Sequence, residues 1–70
     1  MMPLSYASKG EENIIRKIGG TPELKKHLEN LGFVAGSHVM VIAALNGNVI
    51  VKVKESRVAI SDEMARRIMI

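Results

Sequence analysis

Between Thr21 and Gly36 the apolar positions keep a helical period. Leu24, Leu28 and Leu31 stand at i, i+4 and i+7, separated by Lys25, Lys26, Glu29 and Asn30. The start signals agree: Thr21 offers a capping hydroxyl, Pro22 needs no backbone N–H at the first helical position, and Glu23 places a negative charge in the first turn. Gly32 supplies a left-handed stop, after which Phe33 can fold back onto Leu28. A helix of about three turns is marginal alone, so its leucine stripe must pack on something.

The rest of the chain alternates instead. Leu4 and Tyr6 suggest a short opening strand, and Lys9-Gly10-Glu11-Glu12 a turn. Asn13 to Ile18 reads as a strand with Ile14, Ile15 and Ile18 apolar and Arg16 and Lys17 near its exposed end, stopped by Gly19-Gly20. Ser37 to Ala44 and Asn48 to Lys54 are two strands around Asn46-Gly47, a strong hairpin signal. A two-residue loop there would oppose Val41 to Lys52. A three-residue loop, Leu45 to Gly47 with a bulge at Gly47, opposes Val41 to Val51 and Val39 to Val53 and puts Val39, Val41, Ala43, Val49, Val51 and Val53 on one face. Because a slip of one residue exchanges the faces, the second register is expected. Met40, Ile42, Ala44, Ile50, Lys52 and Lys54 then share the other face.

Glu55-Ser56 marks another turn, and Arg57 to Ile60 a strand with Val58 and Ile60 on one side. Ser61 can cap a helical turn over Asp62 to Arg67, with Asp62 and Glu63 as its early acids, and Ile68 to Ile70 closes the chain as a strand. The expectation is a mainly β fold: a small, partly open barrel of about five short strands with one inserted helix and a short C-terminal helical turn. Seventy residues predict a single domain spanning 1–70.

Several of these stretches resemble a known family. The helix with Leu31-Gly32-Phe33-Val34-Ala35-Gly36, the alternation at Val39 and Val41, the run Arg57-Val58-Ala59-Ile60-Ser61, and Ala65 with the Ile68-Met69-Ile70 ending are similar to ferrous iron transport protein A, FeoA. The likeness runs from Leu4 to Ile70. It departs at Ala35, where the family usually has proline, and at Ser56, where glycine is common. The resemblance implies an SH3-like barrel and a cytoplasmic accessory to FeoB, the membrane ferrous-iron transporter that carries a GTPase domain. The same barrel ends iron-dependent repressors, whose preceding helix-turn-helix would not fit within this length.

Composition narrows the functions further. There is no cysteine, hence no disulfide and no thiolate metal site. The longest apolar run, Val39 to Leu45, is far too short to span a bilayer, and the N-terminus lacks signal-peptide character, so a cytoplasmic protein without membrane insertion is expected. Ten Lys/Arg against seven Asp/Glu give a formal charge of +3, mildly basic and spread along the chain. The alternative function, a nucleic-acid-binding small barrel, needs aromatic platforms beside basic grooves. Tyr6 and Phe33 are the only aromatics, and Phe33 belongs to the helix ending, so nucleic acid is not expected as a partner.

No nucleophile motif surrounds Ser5, Ser8, Ser37, Ser56 or Ser61, and no glycine-rich phosphate loop occurs, so neither an enzyme nor a cofactor site is expected. His27 and His38 are the only histidines. As iron(II) ligands they would need Glu29 or Glu63 nearby; as surface residues they need nothing, and this second reading is preferred, with no metal-ligating residue assigned. A binding surface remains. Met40, Ile42 and Ile50 on the outward side of the hairpin form an apolar group that needs a cover: either barrel curvature or another strand buries it, or a partner does, with Lys52 and Lys54 beside it to orient an acidic-rimmed partner. The sequence leaves the oligomeric state open.

Overall fold

The computed structural model describes residues 1–70. Its elements are a 3₁₀ turn (Leu4–Tyr6), then β1 (Glu12–Ile14), β2 (Lys17–Ile18), α1 (Pro22–Asn30), β3 (His38–Leu45), β4 (Asn48–Val53), β5 (Ser56–Ser61), α2 (Asp62–Ala65) and β6 (Ile68–Met69). Strands β1, β3, β4 and β5 form one antiparallel sheet in the order β1-β3-β4-β5, and β2 and β6 form a separate antiparallel pair.

The strand count is six, against about five expected, and the extra one comes from a corner. The single strand expected over Asn13 to Ile18 divides at Ile15-Arg16. Adjacent Ile14 and Ile15 cannot both face the core of a pleated strand: Ile14 is 46% exposed and Ile15 is 1% exposed. Ile15 still belongs with the larger sheet, its N–H donating to the Ser37 carbonyl and its carbonyl accepting from Gly36. The next residue, Arg16, donates instead to the Met69 carbonyl of β6. The chain therefore crosses from one sheet to the other within one peptide unit.

The opening strand expected at Leu4 and Tyr6 is a 3₁₀ turn instead. Met2 exchanges two backbone hydrogen bonds with Ile70, but Pro3 has no N–H with which to continue a ladder, and its carbonyl accepts from Tyr6 to close the turn. Leu4 is fully buried by this turn while Tyr6 stands in solvent.

Helix α1 follows its sequence signals closely. The Thr21 hydroxyl accepts the Leu24 N–H at 3.2 Å. At the far end Phe33 N–H reaches the Leu28 carbonyl at 2.9 Å and Gly32 N–H reaches Glu29 at 3.0 Å, the paired bonds of a Schellman ending. Gly32 has φ +107°, which explains the glycine. Leu28 and Phe33 are both fully buried, so the stop also delivers an aromatic ring to the core.

The hairpin joins the two registers weighed above. Val39 opposes Val53 and Val41 opposes Val51, as the alternation requires, yet the loop is the two-residue Asn46-Gly47, with φ values of 47° and 82° and with Leu45 opposite Asn48. The missing residue is recovered by a bulge between Val41 and Ala43, which leaves Ile42 without a partner in the register. Beyond the bulge the faces exchange. Ala43 opposes Ile50 and Ala44 opposes Val49, so the two alanines exchange the register positions expected of them, although Ala44, near the hairpin tip, stays exposed.

The following turn lies one residue earlier than expected, at Lys54-Glu55, with Lys54 left-handed at φ 55° and Ser56 already opposite Val53. Ser61 caps α2 by accepting the Met64 N–H at 3.1 Å, and α2 is shorter than the expected Asp62 to Arg67. The core gathers Leu4, Ile15, Ile18, Leu28, Phe33, the five hairpin valines, Ile60, Ala65, Ile68 and Ile70.

Candidate docking surface on the outer face of the sheet

With Val49, Val51 and Val53 turned into the core, the pleat turns Ile50 and Lys52 outward. The register then fixes rows of outward side chains across the strands. One row reads Glu12, Met40, Lys52, Arg57 from β1 to β5. A second, toward the hairpin tip, reads Ala43, Ile50, Ala59. On the other flank Ile14 stands opposite His38.

Of the five residues expected to meet a partner, the structure brings Met40, Ile50 and Lys52 to this face by register, Met40 directly opposite Lys52. Lys54 stands in the β4–β5 turn, where its stem passes close to Gly32 at the end of α1. Ile42 is the bulged residue. Met40, Ile42 and Ile50 are each half-buried, while both lysines are exposed.

Four neighbours were missed beforehand: Glu12, Ile14, His38 and Arg57. His38 follows from alternation with Met40 along β3, but the other three join the face only through the pairing of β1 with β3 and of β5 with β4. The first joins residues distant in the chain, and no local pattern around Glu12 announces it.

An open depression of about 370 Å³ lies across this face; Met40 stands between Glu12 on one side and Lys52 on the other, and Ser37, His38, Val39 and Lys54 complete its lining. His38 Nδ1 lies 2.6 Å from Glu12 Oε1, an exposed contact that neutralises the only acid of the group when the imidazole is protonated. The acid beside His38 is thus Glu12, not the Glu29 or Glu63 that a ligand reading had required. The only other ion pair of the chain joins Arg66 to Asp62 at 2.9 Å within one helical turn. Lys52, Lys54 and Arg57 have no carboxylate within 4.0 Å.

His27 lies exposed on α1. No group of three or more His, Cys, Asp or Glu side chains converges in a way that could hold a metal ion. No helix is long and apolar enough to cross a membrane. Of the acid, imidazole and hydroxyl that line the depression, Glu12 and His38 are in contact with each other; beyond that pair the face offers shape, half-buried apolar area and uncompensated positive charge.

Comparison with known proteins places this geometry. A family model described as the FeoA domain matches residues 2–70. A protein of Methanocaldococcus jannaschii, provisionally named Fe(2+) transport protein A, is 39% identical over 70 residues, covering all of this chain and 85% of that protein. The crystal structure of an iron uptake regulatory protein (FeoA) superposes with a TM-score of 0.86 at 27% identity, over 94% of this chain and 89% of the other. Stenotrophomonas maltophilia FeoA, a prokaryotic SH3 domain protein complexed with zinc, superposes with a TM-score of 0.85 at 23% identity, over 99% and 88% of the two chains. The last likeness speaks for the fold, a mainly β SH3-like barrel. Family model and sequence relative together span the chain end to end: it belongs to the FeoA domain family.

Proposed function

We propose that this chain is a non-catalytic accessory protein of ferrous iron uptake, a single domain over 1–70, which docks from the cytoplasm on a FeoB-type GTPase transporter and regulates it. The observation that carries the reading is the end-to-end match to the FeoA domain family, with 39% identity to a relative named for Fe(2+) transport. The outer sheet face supports docking as the means. Met40, Ile42 and Ile50 are half-buried, Met40 and Ile50 share the face with exposed Lys52 by register, and Met40, Lys52 and Lys54 line one depression, a surface suited to a partner. A nucleic-acid role finds less support, because Phe33 is fully buried and Tyr6 is then the one aromatic left to stack a base.

The test is co-elution of the purified chain with the cytoplasmic GTPase domain of such a transporter. Met40→Asp combined with Ile50→Asp should abolish co-elution while the circular dichroism spectrum stays that of the folded chain and melting remains cooperative. A folded double variant that still binds, and still supports iron uptake in cells, would move the docking surface elsewhere.

A further inference from the structure

The outer-face depression is mixed in a particular way. Its lining holds two lysines without acidic partners, Lys52 and Lys54, with Arg57 directly opposite Lys52. Met40, a flexible thioether that adapts to whatever packs on it, stands between Lys52 and Glu12. On the side away from Lys52, Glu12 is held by His38 at 2.6 Å. The chain's own acids do nothing to satisfy the cationic side, since its two ion pairs lie at His38–Glu12 and Arg66–Asp62. The concavity lies on this chain.

We propose that this depression receives an acidic, extended segment of a partner polypeptide, with carboxylates on Lys52 and Lys54 and an apolar side chain on Met40. An extended backbone presents alternate side chains on one face about 7 Å apart, so successive carboxylates can face Lys52 on β4 and Lys54 in the turn that follows it. The charges select the partner and speed encounter, and the apolar contact slows release. Glu12 on the opposite side disfavours a uniformly anionic surface such as a lipid headgroup layer, whereas a chain of alternating acidic and apolar residues can turn its carboxylates to one side. The inference rests on the docking reading and names the chemistry of what docks.

The probes are short peptides alternating Glu and Leu, with Gln-Leu and Lys-Leu peptides as controls, titrated into the full chain carrying ¹⁵N. The Glu-Leu peptide should shift the amides of His38, Met40 and Lys52, with an affinity that falls as sodium chloride rises. Lys52→Glu with Lys54→Glu should weaken it by about tenfold or more without lowering the melting temperature. Equal shifts from the Gln-Leu peptide, no shifts at all, or stronger shifts of the same amides by phosphatidylglycerol vesicles would each overturn the proposal.

The transporter domain separates this idea from the reading beneath it. If the domain binds the double-lysine variant as well as wild type, yet fails to bind Met40→Asp with Ile50→Asp, docking stands and the acidic segment falls. If the peptide binds as described and the domain does not, the groove stands and the transporter falls.

Discussion

The two faces of the four-stranded sheet are made from the same short stretch of chain and behave as different materials. Inward, Val39, Val41, Val49, Val51 and Val53 are all 5% exposed or less. Outward, Met40 and Ile50 are half-buried, while Lys52 and Arg57 lie open to solvent. Valine on the inner face satisfies strand propensity and burial at once, since its branched side chain fits a pleated, packed surface. The outer face breaks that economy: methionine and lysine are poorer strand formers, and nothing in the fold requires them there. Residues that local physics does not require are where an interaction can be sought.

The sharpest way to break the contrast is to place the same carboxylate on neighbouring residues of opposite face. Val51 is fully buried, and an aspartate there has no partner for its charge. A chain of this size has roughly 0.05–0.15 kcal/mol of stability per residue to lose, so Val51→Asp should unfold it outright. Ile50→Asp, one residue away and opposite Ala43 and Ala59, should change stability by no more than about 1 kcal/mol. Circular dichroism melts of the two variants decide the matter. A folded Val51→Asp, or an unfolded Ile50→Asp, would mean that the faces are assigned the wrong way round.

A smaller loss is expected where backbone, not burial, is at stake. A side chain at Gly32 would meet Val53 and Lys54 at ordinary contact distances of 3.7–3.8 Å, so space does not demand glycine; the φ of +107° does. Gly32→Ala should therefore cost about 1–2 kcal/mol from strain alone. In a domain of this length that lowers the melting temperature by about 4–8 °C per kcal/mol. An unshifted melt would show that the helix can end in another conformation. Next in size come the two caps. Thr21→Ala and Ser61→Ala each remove one hydroxyl acceptor, at 3.2 and 3.1 Å from its N–H, and each should cost about 1 kcal/mol in denaturant titration.

The same contrast explains what could be read in advance. Helix α1, its cap, its stop and the inner valines were legible because each depends on residues only a few positions apart or on strict alternation. The hairpin register was legible near Val39 and Val41 for the same reason, but the bulge at Ile42 was not. A two-residue loop with one bulge and a three-residue loop oppose the same valines, and only the alanines beyond Ile42 tell them apart. The division at Ile15-Arg16 was visible only as adjacent isoleucines, which a single amphipathic strand does not explain. On the candidate docking face, Met40, Ile50 and Lys52 follow from alternation within one hairpin. Glu12 required the pairing of β1 with β3, a contact that no short window of sequence contains, whereas His38 shares the face by alternation with Met40 along β3.

The smallest effect is expected at the contact that looks most like chemistry. His38 and Glu12 approach to 2.6 Å, yet both side chains are more than half exposed, at 63% and 58%. Exposed pairs of this kind contribute at most about 1 kcal/mol, so His38→Ala should barely move the melt. The pair also supplies only two donors, one nitrogen and one carboxylate, and no third His, Cys, Asp or Glu side chain joins them. A divalent ion bound there would keep most of its water, and stabilisation follows binding only when the free ion exceeds its dissociation constant. Anaerobic Fe(II) at concentrations near that of the protein should therefore leave the melting temperature where it was. A rise that vanishes in both His38→Ala and Glu12→Gln would make this pair the nucleus of a metal site. It would also place iron on the same face that the docking reading gives to a partner.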